Sequence, residues 1–124
     1  MALERPEIDF PEGQPPEYLD ITDITVGDGA EAAKGDTVSM HYVGVSFSTG
    51  EEFDASWNRG QTFDFQIGAG RVIKGWDMGI AGMKVGGRRK LVIPPHLAYG
   101  SRSPSPAIKP NETLIFVVDL VAVN

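Results

Sequence analysis

One stretch of this chain, Phe63 to Gly87, holds its only convincing helical pattern, and β-type runs flank it on both sides. Trp76, Ile80 and Met83 stand at i, i+4 and i+7, which places them on one face of a short helix. Seven glycines punctuate the stretch, and it contains one of the two tryptophans. A large aromatic at the first turn of a lone short helix that faces a sheet has two readings. It is an ordinary core anchor, or it is the floor of an apolar pocket.

The flanking runs are strands. Leu19 and Ile21 alternate, then Ile24 and Val26 alternate in the other phase, a slip that predicts a bulge or bend in a long edge strand. Val38, Met40 and Tyr42 share one face of the next run, with Ser39, His41 and Val43 on the other. Ser48 to Glu51 reads as a hairpin turn, and Glu52-Phe53-Asp54 as the short strand after it. Phe63, Phe65 and Ile67 alternate with Asp64 and Gln66. Arg89, Leu91 and Ile93 alternate with Arg88, Lys90 and Val92 before Pro94-Pro95 ends that strand, since proline gives no N–H to a ladder. Residues 96–112 form a serine- and proline-rich loop, of a length that is usually functional or disordered. The nearly continuous apolar run from Thr113 to Val123 marks a central strand. Turns too short for a crossover exclude a parallel sheet. The expected fold is α+β, a five- or six-stranded antiparallel sheet curled over one short helix.

A chain of 124 residues predicts one domain. Residues 1–17 hold four prolines and read as an extended acidic arm, and residues 18–124 as the domain. Residues 1–20 have six acids and one base, so most of the net charge of −6 belongs to the arm. The body is near neutral, and its only basic cluster, Lys84, Arg88, Arg89 and Lys90, is split between strand faces, which disfavours nucleic acid. No apolar run approaches the ~20 residues that span a bilayer, and the acidic, proline-rich N-terminus is unlike a signal peptide. These features predict a cytoplasmic protein with no membrane partner, and a monomer. The arm's Pro15-Pro16 is also expected to visit the pocket of a neighbouring molecule.

The chemistry-bearing residues are few. There is no cysteine, and His41 and His96 have no companion ligands, so neither a metal nor a cofactor is expected. Gly68-Ala69-Gly70 starts like a dinucleotide fingerprint but has Ile73 where glycine is needed, in an antiparallel context. The aromatic set is Tyr42, Phe53, Phe63, Phe65, Trp76, Tyr99 and Phe116, and all of it could be core. Tyr99, however, lies beside the proline-rich loop rather than in a strand, where its hydroxyl could donate to a ligand carbonyl at a pocket rim. Asp54 sits in apolar company and needs a partner, with Tyr42 and Arg59 the candidates.

Five motifs stand in order: His41-Tyr42-Val43-Gly44, Phe53-Asp54, Val72-Ile73-Lys74-Gly75-Trp76, Gly82-Met83-Lys84-Val85-Gly86 and Leu97-Ala98-Tyr99-Gly100. Together they resemble the FKBP-type peptidyl-prolyl cis-trans isomerases, immunophilins that bind tacrolimus and rapamycin. The resemblance covers residues 18–124 and leaves out the arm. It implies a rotamase acting on proline-containing peptides and unfolded proteins, with Trp76 as the floor on which the proline ring rests. It implies apolar walls from Tyr42, Phe53, Phe63, Phe65, Val72, Ile73 and Phe116, with Ile108 at the tip of an overhanging loop. Tyr99 and the N–H of Ile73 are implied donors to substrate or macrolide carbonyls. Asp54 is the implied polar wall residue, bonded to Tyr42 and steadied by Arg59. The loop Ser103 to Pro110 departs from the family's usual glycine-tipped pattern, which bears on substrate preference. Two rival readings stay open: a proline-binding module without turnover, and a structural domain with a filled core.

Overall fold

The computed structural model describes residues 5–8, 13–102 and 108–124. Among these residues are six strands, β1 (Asp20–Thr25), β2 (Thr37–Ser46), β3 (Glu52–Ala55), β4 (Phe63–Gln66), β5 (Arg88–Ile93) and β6 (Leu114–Val123). One helix, α1 (Lys74–Gly79), lies between β4 and β5. Every strand pair is antiparallel. The sheet runs β1-β5-β6-β2-β3, with β4 also paired to β2. As expected, the apolar C-terminal run is central, because β6 has a strand on each side.

Long β2 positions the site. Its first half pairs with β4 through Thr37–Met40, its second half with β3 through Val43–Val45, and Tyr42 falls in the gap. There the Ser56 hydroxyl, on a 3₁₀ turn (Ser56–Arg59), accepts from the Tyr42 N–H at 2.8 Å. A side chain thus replaces the missing ladder bond, since a buried N–H without a partner is costly. The same hydroxyl meets His41 Nδ1 at 2.8 Å, and the His41 ring stacks on Trp57 at 4.4 Å. His41 is therefore structural, and Tyr42 projects from the other side of β2.

The slip seen in Ile21 and Ile24 is a real irregularity. β1 shifts register against β5 between Asp23 and Thr25. The edge strand is exposed along its whole length.

Helix α1 is shorter than the Trp76, Ile80, Met83 spacing suggests. It ends at Gly79, with Ile80 as its C-cap, and Met83 belongs to the turn beyond, where its N–H bonds the Ile80 carbonyl at 3.1 Å. All three side chains are still buried. Gly75 shows why the helix carries residues that weaken it. A Cβ there would stand 2.5 Å from Ile93 Cγ2, so glycine lets the helix lie directly on β5. The core between helix and sheet holds Val38, Met40, Trp76, Ile80, Leu91, Ile93, Leu114 and Phe116.

The acidic N-terminal segment is not all held apart from this body. Pro6 is buried, and Ile8, like Phe47, packs against the cluster of Val45, Val92 and Ile115 on the outer face of the sheet. Arg5 pairs with Glu52 and donates to Asn58 at 2.7 Å. Pro15 lines a shallow hollow with Phe47 and Thr113 of the same molecule. The proline-rich loop contributes Ile108 to the core, while residues 103–107, which carry most of the departure from the family pattern, lie outside the described residues.

Candidate functional site

On the concave face the aromatic side chains gather round one indole. Tyr42 and Phe116 each lie 5.0 Å from the Trp76 ring, inclined at 63° and 75°, and Phe63 lies 5.7 Å away at 64°. Phe53 in turn stands perpendicular to Phe116 at 5.5 Å. Edge-to-face contacts of this kind hold rings upright around the indole instead of stacking them over it. What remains is a hollow of about 250 Å³ lined by Tyr42, Phe53, Asp54, Phe63, Arg71, Val72, Ile73, Trp76, Tyr99 and Phe116. One water occupies ~30 Å³ in the liquid. The hollow therefore has room for a five-membered ring and adjoining amide groups.

Gly44 makes the wall possible. A Cβ at Gly44 would meet Phe53 Cζ at 2.6 Å and Phe116 Cε1 at 2.7 Å. Only a residue without a side chain lets both rings close over β2. Gly44 lies within a motif noted above, yet nothing in the sequence marked it as a wall element.

The polar groups are sparse and mostly committed. The Tyr42 hydroxyl donates to Asp54 Oδ2 at 2.5 Å, Arg59 Nη1 donates to Asp54 Oδ1 at 2.8 Å, and Arg59 Nη2 donates to the Tyr42 oxygen at 2.8 Å. Burial alone would raise the Asp54 pKa. The hydrogen bonds from Tyr42 and Arg59 outweigh it, so the carboxyl titrates below its ordinary value. Burial, with the Asp54 carboxylate beside it, pushes Tyr42 up to about 12. The phenol thus stays protonated and Asp54 ionised at neutral pH. Several donors are left over, and Trp76 Nε1 in the floor is one of them. The Tyr99 hydroxyl and the Ile73 N–H have no acceptor among the described residues. Ile73 is the N-cap of α1, so its N–H lies outside the helix's own bonding. Burial raises the Tyr99 pKa, which keeps that hydroxyl a donor.

Of the twelve site residues expected from sequence, ten are gathered at the hollow. Tyr42, Phe53, Asp54, Phe63, Val72, Ile73, Trp76, Tyr99 and Phe116 line the hollow, and Arg59 braces it. Two are corrected. Phe65 is buried behind the floor, 5.9 Å from both Trp76 and Phe63, because it shares the face of Phe63 but lies two residues farther along β4. Ile108 is buried in the core cluster and is not among the lining residues. Arg71 lines the hollow and was missed. It directly precedes the Val72-Ile73 motif, but a lone arginine carries no pattern.

Comparison with known proteins agrees with this geometry. Residues 29–121 match the family model of the FKBP-type peptidyl-prolyl cis-trans isomerases. The chain belongs to that family. It is 66% identical to an FK506-binding protein of Streptomyces anulatus, over 99% of this chain and 100% of the relative. Among solved structures, it is 88% identical to the FKBP12 of Mycobacterium tuberculosis, covering 97% of this chain and 95% of that one with a TM-score of 0.64. AtFKBP13, 43% identical, covers 86% of this chain and 93% of that one with a TM-score of 0.79. Like other FKBP-type proteins, this one is a peptidyl-prolyl cis-trans isomerase. No helix among the described residues is long and apolar enough to cross a membrane.

Proposed function

We propose that this FKBP speeds X–Pro rotation in peptides and unfolded proteins by seating the proline ring over Trp76. Macrolides of the tacrolimus and rapamycin type compete for the same hollow. The observation that carries this reading is the ring of upright aromatics around an indole, with the unused Tyr99 hydroxyl and Ile73 N–H at its mouth.

Rotation about a peptide bond has a barrier of ~18–20 kcal/mol, and X–Pro bonds interconvert in tens to hundreds of seconds. The planar amide owes that barrier, and much of its dipole, to resonance. Twisting breaks the resonance and reduces charge separation. A water-poor aromatic hollow therefore favours the twisted amide over the planar one, which is differential binding of the transition state. Tyr42, Phe53, Phe63, Val72 and Phe116 exclude water, with Phe65 and Ile108 backing them from the core. The Ile73 N–H and the Tyr99 hydroxyl hold flanking carbonyls while the bond turns. Asp54 keeps Tyr42 in place, and Arg59 neutralises Asp54, so the wall gains rigidity without a bare charge. No bond is made or broken in this scheme, and no cofactor takes part.

We further read the protein as a cytoplasmic monomer that does not bind nucleic acid. In support, Arg88 and Arg89 of the one basic cluster are engaged by Asp119 and Asp23. An isomerisation assay on an X–Pro peptide, with and without rapamycin, tests the main reading. Acceleration abolished by stoichiometric rapamycin is expected. Tight rapamycin binding with no acceleration would leave a proline-binding module instead.

A further inference from the structure

The mouth of the hollow is lined by two charged side chains, Asp54 and Arg71. Asp54 is matched by Arg59 at 2.8 Å. Asp77, the acid nearest to Arg71 in sequence, is turned to the loop backbone. Its carboxylate accepts from the Gly68 N–H at 2.8 Å and from the Gly70 N–H at 3.3 Å. Arg5, Arg59, Arg88 and Arg89 each hold a carboxylate. Arg71 does not: it is exposed, lines the hollow and makes no hydrogen bond or ion pair among the described residues. Exposed Lys74 follows at the first position of α1. A chain of net charge −6 thus presents an uncompensated positive lip at its proline seat.

Such a charge acts on whatever flanks the bound proline. Substrate residues on either side are ~3.3–3.6 Å apart along an extended chain, so those one or two places away emerge at the lip. A guanidinium there offers planar, paired donors to a carboxylate. We propose that Arg71 is a specificity-determining residue that favours X–Pro substrates with an aspartate or glutamate within two residues of the proline. This inference rests on the proline-seat reading given above. The attraction is partly exposed, so the preference is modest, about two- to fivefold at low salt.

The test uses the full chain and a set of short X–Pro peptides with Glu, Gln or Lys at each of the two positions before and after the proline. Both kcat/KM and calorimetric Kd are read at about 10 mM ionic strength, where the screening length is ~30 Å. The wild-type protein should favour Glu over Lys at one position or more. Arg71→Gln should bring that ratio towards unity and Arg71→Glu should invert it, a reversal that lost structure does not produce. Raising the ionic strength to about 1 M, with a screening length of ~3 Å, should erase the preference. An equal Glu-to-Lys ratio in the wild type and in Arg71→Glu, by both readouts, overturns the proposal. The proline-seat reading fails on a different result, no turnover of the uncharged Gln peptides by the wild type. The Kd values of the Glu and Lys peptides still decide the role of Arg71 in that case.

Discussion

Two aspartate–arginine pairs of nearly equal length flank the same sheet, and their carboxyl groups titrate in opposite directions. Asp54 and Arg59, 2.8 Å apart, stand at the pocket with side chains 44% and 49% exposed. Asp119 and Arg88, 2.7 Å apart, lie on the outer face, and the Asp119 side chain is only 3% exposed. The Asp54 pKa falls and the Asp119 pKa rises. Distance does not decide this; the number of donors set against burial does. Asp54 has a donor for each oxygen, from Arg59 and from Tyr42. Burial dominates at Asp119, the Arg88 hydrogen bond and the charges of Arg88 and His41 offset only part of it, and Oδ2 has no hydrogen-bond partner among the described residues. The pocket thus keeps its one carboxylate where solvent and two donors hold it ionised. The outer face keeps a buried one at the cost of stability.

The largest effect is expected from breaking the buried pair. Arg88→Met takes from the buried Asp119 the cation it is paired with, which costs about 3–5 kcal/mol in urea unfolding at neutral pH. The comparison also fixes the sign of the pH dependence. Folded Asp119 holds its proton above the ordinary aspartate value of 3.8, where the unfolded chain has already released it. Its contribution is therefore fully present at low pH and is lost as pH rises through the raised pKa. Asp54 works the other way: its contribution is present above the ordinary value and is lost as pH falls through the lowered pKa. The Arg88→Met deficit should accordingly grow with pH, by at most ~1.4 kcal/mol per unit. A deficit independent of pH would show that Asp119 is not the group left stranded.

Next come the two variants that alter the concave face. Trp76→Leu keeps an apolar group under the helix but removes the flat floor. It should lower kcat/KM on an X–Pro peptide by about tenfold or more, ~1.4 kcal/mol per factor of ten, with far-UV circular dichroism preserved. Wild-type rates in that variant would sink the seat. Gly44→Ala drives a methyl into Phe53 and Phe116, and overpacking of this kind costs about 1–3 kcal/mol. Its urea midpoint should drop, and rapamycin affinity should fall with it because both rings belong to the wall.

Much of this molecule was legible because its strands alternate cleanly. Val38, Met40 and Tyr42 on one face of β2, opposite His41, follow from a period of two alone. The partners of Asp54 were legible too, since an acid beside Phe53 must be answered and only Tyr42 and Arg59 were in reach. What failed was whatever depended on the third dimension. Met83 keeps the helical spacing without being in the helix, because a turn after Gly79 returns it to the same core. Phe65 shares the character of Phe63 but sits two residues along a short strand, far enough to fall behind the indole instead of before it. Gly44 and Arg71 could not be read, one because its role is to be absent from a contact, the other because its role is to have none.

The mildest prediction is the sharpest test of the contrast between the pairs. Arg59→Met removes the guanidinium from Asp54 but leaves the Tyr42 hydroxyl bonded to it and leaves both oxygens within reach of water. An exposed pair contributes ~0.2–1 kcal/mol, so the urea midpoint should move only slightly, and the shift should shrink further in concentrated salt. The Arg88→Met deficit belongs to an Asp119 side chain only 3% exposed and should persist at the same salt. If instead Arg59→Met cost as much as Arg88→Met, Asp54 would have to be held as tightly as a buried ion. Burial would then not be what separates the two faces.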